Sequence, residues 1–320
     1  MLKSLIRLAG IVMAAVSFVV SAQGYPSKPV RLIVPYAPGG GTDLLARMIA
    51  QRLAEALGMS VVVDNRPGVD GIVGTEIAAR AAPDGYTLLL VSASHAINAA
   101  LGKKLPYDTI KDFAPITQTA NQQLLLVVHP SVPVRTVKEF IEYVKARPGK
   151  LNYGSSSSAS ALPMELFKSM TSTDILHIPY KGSGPMVNDL LGGHVQMSMA
   201  GAVAVVPHVN AGRLRAIAIG DLKRSSFLPD VPTLAEGGLP GYRAVIWTGM
   251  FAPAKTPQAI IDRLHKEVVR ILHVQDFSER VSSLGADVVG STPAEWGKFL
   301  ASEIMKWAKI AKIAGFKADD

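Results

Sequence analysis

Short runs of Val, Ile and Leu alternate along the chain with longer amphipathic segments. Residues 30–34, 61–63 and 86–91 are apolar with little alternation, and residues 44–57 and 71–81 lie between them. Continuous apolar strands predict burial on both faces, as in parallel α/β sheets. Leu44, Leu45, Met48, Ile49, Leu53, Ala56 and Leu57 keep the spacing of one helix face, with Thr42 or Asp43 as N-cap and Gly58 just past the end. This first stretch predicts a βαβαβ unit.

A second series begins with residues 124–128, followed by a helix that the capping box Thr136/Glu139 opens and that runs to about Arg147. Strands are predicted near 151–153, 175–178, 195–199 and 214–219, with helical segments between them. The Pro/Gly-rich stretch 229–241 marks a boundary. Beyond it lie a strand (244–251), a helix (257–272), a short strand (286–289) and a long final helix (292–313). That helix has Pro293 at its first position, the capping pair Thr292 and Glu295, and an apolar stripe of Trp296, Phe299, Leu300, Ile304, Trp307 and Ile310. The pattern predicts an α/β protein of two lobes joined by more than one crossing strand. Residues 23–122 with 243–320 form one lobe and 123–242 the other, and lobes so joined can close on a ligand.

The N-terminus needs separate treatment. Lys3 and Arg7 precede an apolar run, 8–20, too short to span a bilayer, and Val20 and Ala22 stand where a cleavage site needs small residues. Residues 1–22 therefore read as a signal peptide, with a mature chain starting near Gln23 in a bacterial periplasm. Cysteine is absent, which excludes disulfides, thiolate zinc sites, iron–sulfur clusters and cysteine nucleophiles. The formal charge of +8 falls by two once Lys3 and Arg7 are removed. The remaining basic residues are dispersed, without the aromatic interleaving of nucleic-acid binders, so no nucleic-acid partner is expected; a mild positive field suits an anionic small ligand.

Three loops could carry chemistry. Pro35-Tyr36-Ala37-Pro38-Gly39-Gly40-Gly41-Thr42-Asp43 joins the first strand to the first helix. Its glycines allow close backbone approach, and the helix start offers N–H donors at its positive end, which suits an anion. The alternative is a tight turn with an ordinary N-cap. Tyr153-Gly154-Ser155-Ser156-Ser157-Ser158 is a second strand end leading into a helix. Its hydroxyls and N–H groups can bind carboxylate oxygens; a serine nucleophile or a plain loop are the alternatives, and nothing pairs a particular serine with a particular histidine. Tyr180 and Lys181 sit in a Gly/Pro turn that either closes over a ligand or lies on the surface. Ser94 and His95 follow the 86–91 strand, at the end where α/β crevices open. None of the seven histidines has metal-ligand spacing, so neither a metal nor a cofactor is expected.

These residues resemble the periplasmic solute-binding proteins of tripartite tricarboxylate transporters, the Bug family. The similarity runs through Tyr25-Pro26, Pro38 to Asp43, Val63-Asp64-Asn65-Arg66-Pro67-Gly68, Pro83-Asp84-Gly85-Tyr86, Leu105-Pro106-Tyr107-Asp108, Pro179-Tyr180-Lys181-Gly182, Asp230-Val231-Pro232-Thr233 and Leu239-Pro240-Gly241-Tyr242. The resemblance implies a two-lobed periplasmic-binding-protein fold, each lobe a mostly parallel sheet flanked by helices. It also implies a non-catalytic, monomeric receptor that holds a small organic carboxylate in the interlobe cleft, with permease subunits or a sensor kinase as partner. Its ligand residues would be Tyr36, Gly39, Gly40, Gly41, Thr42, Asp43, Ser94, His95, Ser155, Ser156, Tyr180, Lys181 and Ala200. The family often has aspartates in the strand after its Gly-Gly pair; here those places hold Gln196 and Ala200, which points away from an amino-acid ligand. The serine loop also lacks the family's histidine. Competing readings are an exported serine hydrolase and a transporter-less binding protein for signalling.

Overall fold

The structure, a computed structural model, describes residues 24–225 and 227–314; the expected signal peptide lies outside them. The strands are β1 (Val30–Val34), β2 (Val61–Asn65), β3 (Thr87–Ser92), β4 (Phe113–Val128), β5 (Asn152–Ser155), β6 (Leu176–Pro179), β7 (Met197–Gly201), β8 (Arg215–Ile219), β9 (Val245–Pro253) and β10 (Ala286–Val288). The helices are α1 (Gly41–Leu57), α2 (Ile72–Ala79), α3 (Ser94–Ala100), α4 (Val137–Lys145), α5 (Ser158–Thr171), α6 (Ser183–Leu191), α7 (Ala202–Asn210), α8 (Gln258–Leu272), α9 (Gln275–Ser283) and α10 (Pro293–Ala314). Among the described residues, no helix is long and apolar enough to cross a membrane.

The expected βαβαβ unit is present: β1 pairs in parallel with both β2 and β3, Val30 opposite Val61 and Leu32 opposite Leu88. Gly58 closes α1 in the left-handed conformation, φ 65°. The sheet then continues in the order β2-β1-β3-β9-β4-β7-β5-β6, with β8 and β10 also on β4. The β5/β6 and β5/β7 pairs are parallel, whereas β9 and β4 bring in antiparallel pairing.

β4 is the strand that joins the two groups. From Phe113 to Gln123 it pairs with β9, and from Leu124 to Val128 with β7. Only its second half was legible as a strand. The first half, with Thr117, Gln118, Thr119 and Gln122, is polar yet buried, and the side chains of Thr117, Gln118 and Thr119 find partners there. Thr119 and Thr248 share a hydroxyl hydrogen bond of 2.8 Å, and Thr117 Oγ1 donates to the Ser291 carbonyl at 2.7 Å. The sequence reading also missed α3 and α9.

α10 braces the assembly by packing on α3, α5 and β4. Its capping box forms, with the Glu295 N–H donating to Thr292 Oγ1 at 3.3 Å and the Thr292 N–H to Glu295 Oε2 at 2.9 Å. Trp296, Leu300 and Trp307 are fully buried, as their spacing predicts. Glu303 lies in the same stripe, 4% exposed, because it accepts from the indole N–H of Trp247 at 2.8 Å and of Trp307 at 3.0 Å. Replacing it by Ala leaves two buried donors without an acceptor, so Glu303→Ala should cost roughly 2–4 kcal/mol in chemical unfolding. Glu303→Gln, which keeps an acceptor, should recover most of that; equal losses in both would contradict the role.

Candidate functional site

The loop after β1 is tied down by one carboxylate. The N-cap of α1 is Gly40, not Thr42 or Asp43 as expected, and Gly39 adopts φ 83°. Asp43 reaches back: Oδ2 accepts the Gly39 N–H at 2.9 Å and Arg47 Nε at 3.0 Å, while Oδ1 accepts Asn65 Nδ2 at 2.9 Å. Asn65 also donates to the Tyr36 carbonyl at 3.1 Å, so β2 helps to set the loop after β1. Burial pushes the Asp43 carboxyl up, but the hydrogen bonds from Arg47, Gly39 and Asn65, with the Arg47 charge, outweigh it and hold the carboxyl below its usual range.

Tyr36 is anchored from the end of β3. Its hydroxyl meets Ser94 Oγ at 2.6 Å and accepts from the Ser92 N–H at 3.1 Å and Ser92 Oγ at 3.0 Å. Burial pushes this phenol above the usual tyrosine range, against the hydrogen bonds of Ser92 and Ser94.

The opposing wall comes from the ends of β5 and β6. The Tyr180 N–H donates to the Ser155 carbonyl at 2.8 Å, and the Tyr180 hydroxyl donates to Asp189 Oδ2 at 2.7 Å. Ser155 Oγ lies 2.6 Å from His177 Nε2, and Tyr153 stacks on the same imidazole with ring centroids 4.8 Å apart. That serine–histidine pairing was invisible in the sequence.

Between the walls lie two hollows that share Tyr36, Ser156 and Ser157. The larger, about 400 Å³, is lined by Asp70, Lys103, Ser155, His177, Tyr180 and Lys181, among others. The smaller, about 40 Å³, is where four helices begin: α1 at Gly40, α5 at Ser157, α6 at Gly182 and α7 at Gly201. The first N–H groups of a helix have no intrahelical acceptor and carry partial positive charge, so this convergence favours an anion. At α1, α6 and α7 the N-cap is a glycine and no side chain caps the helix. Bare backbone is also what lets the walls meet: a Cβ on Gly184 would stand 2.8 Å from the Pro38 carbonyl oxygen.

Most of the expected ligand residues meet here. Tyr36, Gly40, Gly41, Thr42, Asp43, Ser155, Ser156, Tyr180 and Lys181 all line one hollow or the other. Gly39 and Ser94 stand behind the lining, supporting Asp43 and Tyr36. His95 is a correction: α3 turns it into the core, 2% exposed, between the rings of Tyr107, Phe113 and Phe251. Burial pushes its imidazole down to about 4, so it stays neutral near pH 7. Ala200 is the second correction, since it packs with Leu125 and Val127 in an apolar cluster while its neighbour Gly201 lines the smaller hollow. The sequence reading missed Asp70, Lys103 and His177. The glycines Gly68 and Gly71 around Asp70 were the available signal for a special turn.

Comparison with known proteins gives the family and the fold. Residues 45–316 match the family described as Tripartite tricarboxylate transporter family receptor. The chain is 39% identical over 308 residues to Protein BugT of Bordetella pertussis, covering 95% of this chain and 94% of that protein. Among solved structures, R. palustris Rpa4515 with adipate superposes with a TM-score of 0.89 at 38% identity, covering 91% of this chain and 98% of the other. MatC from Rhodopseudomonas palustris with bound malate has a TM-score of 0.85 at 33% identity, covering 89% and 99%.

The loop geometry gives a pH test. Because Asp43 has a lowered folded pKa, its stabilisation is present above the unfolded value of about 4 and is lost as pH falls through the folded value. Asp43→Asn should be less stable than the parent near pH 7 by roughly 1–3 kcal/mol. The gap should narrow on acidification below about pH 4, followed by urea unfolding; a gap independent of pH would contradict the ionic tie.

Proposed function

The chain belongs to the tripartite tricarboxylate transporter receptor family, and from that premise we propose that it captures a small organic carboxylate between two lobes and delivers it to membrane permease subunits. In this reading residues 23–122 with 243–320 form one lobe and 123–242 the other. Residues 1–22 direct export to the periplasm and are cleaved, and the receptor works as a monomer. That two similar structures were solved with adipate and with malate supports a carboxylate as the ligand.

The observation that carries the reading is the gathering of helix starts at the smaller hollow. Backbone N–H groups of residues 40–43 and 182–183 supply donors without a buried arginine. Three or four hydrogen bonds to a charged carboxylate, at roughly 1.5–3 kcal/mol each, are enough for the approximately 8 kcal/mol of a micromolar complex. Lys103 and Lys181 add attraction from the larger hollow, whose volume accommodates the rest of a small acid.

One observation favours the exported-hydrolase reading: Ser155 and His177 are in contact at the edge of the hollow. A nucleophile needs such a base, but the same contact equally fixes the serine loop as a wall of a binding cleft. Ester hydrolysis that Ser155→Ala abolishes, with no carboxylate bound, would favour the enzyme.

A thermal-shift screen of the mature chain against small carboxylic acids separates the readings. A ligand bound only by the folded state at 100 times its Kd adds about 2.7 kcal/mol, a clear rise in midpoint. Gly184→Ala should weaken the best acid at least tenfold, because the added methyl would stand 2.8 Å from the Pro38 carbonyl oxygen and force the two walls apart. Unchanged affinity in that variant would remove the 37–38/182–184 contact from the bound state.

A further inference from the structure

We propose that Asp70 makes the cleft selective for ligands with one carboxylate, by supplying an internal carboxylate where a second ligand carboxylate would otherwise be received. The proposal rests on the receptor reading above and names the substrate class.

Three of the four helix starts at the smaller hollow begin at glycine. The fourth is already served: the Ser158 N–H, at the first position of α5, donates to Asp70 Oδ2 at 3.1 Å. That bond crosses the cleft from the short turn Val69–Gly71 to α5, joining residues 88 apart in sequence. The turn is built for the task. Asp70 adopts φ 54° and Val69 φ 45°, a left-handed conformation that an aspartate tolerates better than a branched residue, and Asn98 Nδ2 holds the Asp70 carbonyl at 3.0 Å. Strained backbone of this kind persists where the surroundings over-determine it, and it gathers at functional sites. Asp70 is partly exposed as a residue, yet its Oδ1 is shut off from solvent and accepts no hydrogen bond.

The charges act in the same direction. Lining the larger hollow are two cations, Lys103 and Lys181, and one anion, Asp70. Asp70 thus offsets one of the two lysine charges that a second ligand carboxylate in this hollow would meet. Asp43, in the smaller hollow, is matched separately by Arg47. A second ligand carboxylate would face Asp70 in a medium that screens poorly, and would find the start of α5 taken.

The test is calorimetric titration of the mature chain and of Asp70→Asn at about pH 8, far above the ordinary carboxylate range because burial pushes the Asp70 carboxyl up, against its bonds to Ser158 and the Lys103 charge. The probes are length-matched pairs: pentanoate and glutarate, hexanoate and adipate, benzoate and terephthalate. Asparagine keeps the shape and tolerates the left-handed turn, so the variant isolates the charge; Asp70→Gly removes the side chain altogether. In the parent protein the monoacid of at least one pair should bind at least tenfold more tightly than its diacid. Both variants should shift that ratio at least tenfold toward the diacid. A parent protein that prefers the diacids, or a ratio that neither variant moves, overturns the assignment of Asp70 alone. Absence of binding by every acid to all three proteins overturns the receptor reading and this proposal with it.

Discussion

A helix start presents N–H groups that its own turns cannot satisfy, and four such starts face one small hollow here. Their partial charges repel unless an anion or a polar partner offsets them. Much else in the molecule follows from holding them together. Glycine stands at Gly40, Gly182 and Gly201 where neighbouring segments press close: a Cβ there would lie 3.2 Å from Ser183 Cβ, 2.8 Å from Ala37 Cβ and 3.0 Å from Gln122 Oε1. Gly184 is bare for a related reason, since the Pro38 carbonyl lies where its Cβ would be.

The starts are positioned from far apart in the chain. β1 and β2 deliver the Tyr36–Asp43 loop and the Asn65 that ties it, while β5, β6 and β7 deliver the starts of α5, α6 and α7. β4, paired along one half with β9 and along the other with β7, fixes these two groups of strand ends relative to each other. α10 then packs against helices of both groups, with Glu303 holding two indoles in the core. Function therefore depends on buried polar contacts that carry little apolar signature: Thr119 with Thr248, Asp43 with Asn65, Tyr36 with Ser92 and Ser94.

Those contacts also mark where sequence reading stops. The β1–α1–β2 unit, the Gly58 stop, the caps at Thr136 and Thr292 and the tryptophan stripe of α10 are local patterns, and the structure contains all of them. The glycine loop was legible as a turn of close backbone approach opening a helix, and the structure places it at the hollow where four helices start. The first half of β4 was not legible, because its polar residues are buried by pairing that only the fold creates. His95 and Ala200 lie at the right strand ends but face away from the cleft, a matter of orientation that position in sequence does not report. Asp70 was missed because its partner, Ser158, is remote, and His177 because nothing local connects it to Ser155.

The central claim is that a carboxylate is held by backbone donors at the gathered helix starts. The most direct measurement is a crystal structure of the mature chain with the acid that raises its thermal midpoint most. The account requires carboxylate oxygens within about 2.7–3.2 Å of N–H groups of residues 40–43 and 182–183, with the rest of the acid in the larger hollow. A carboxylate held instead by the lysine side chains alone, away from those N–H groups, would contradict it.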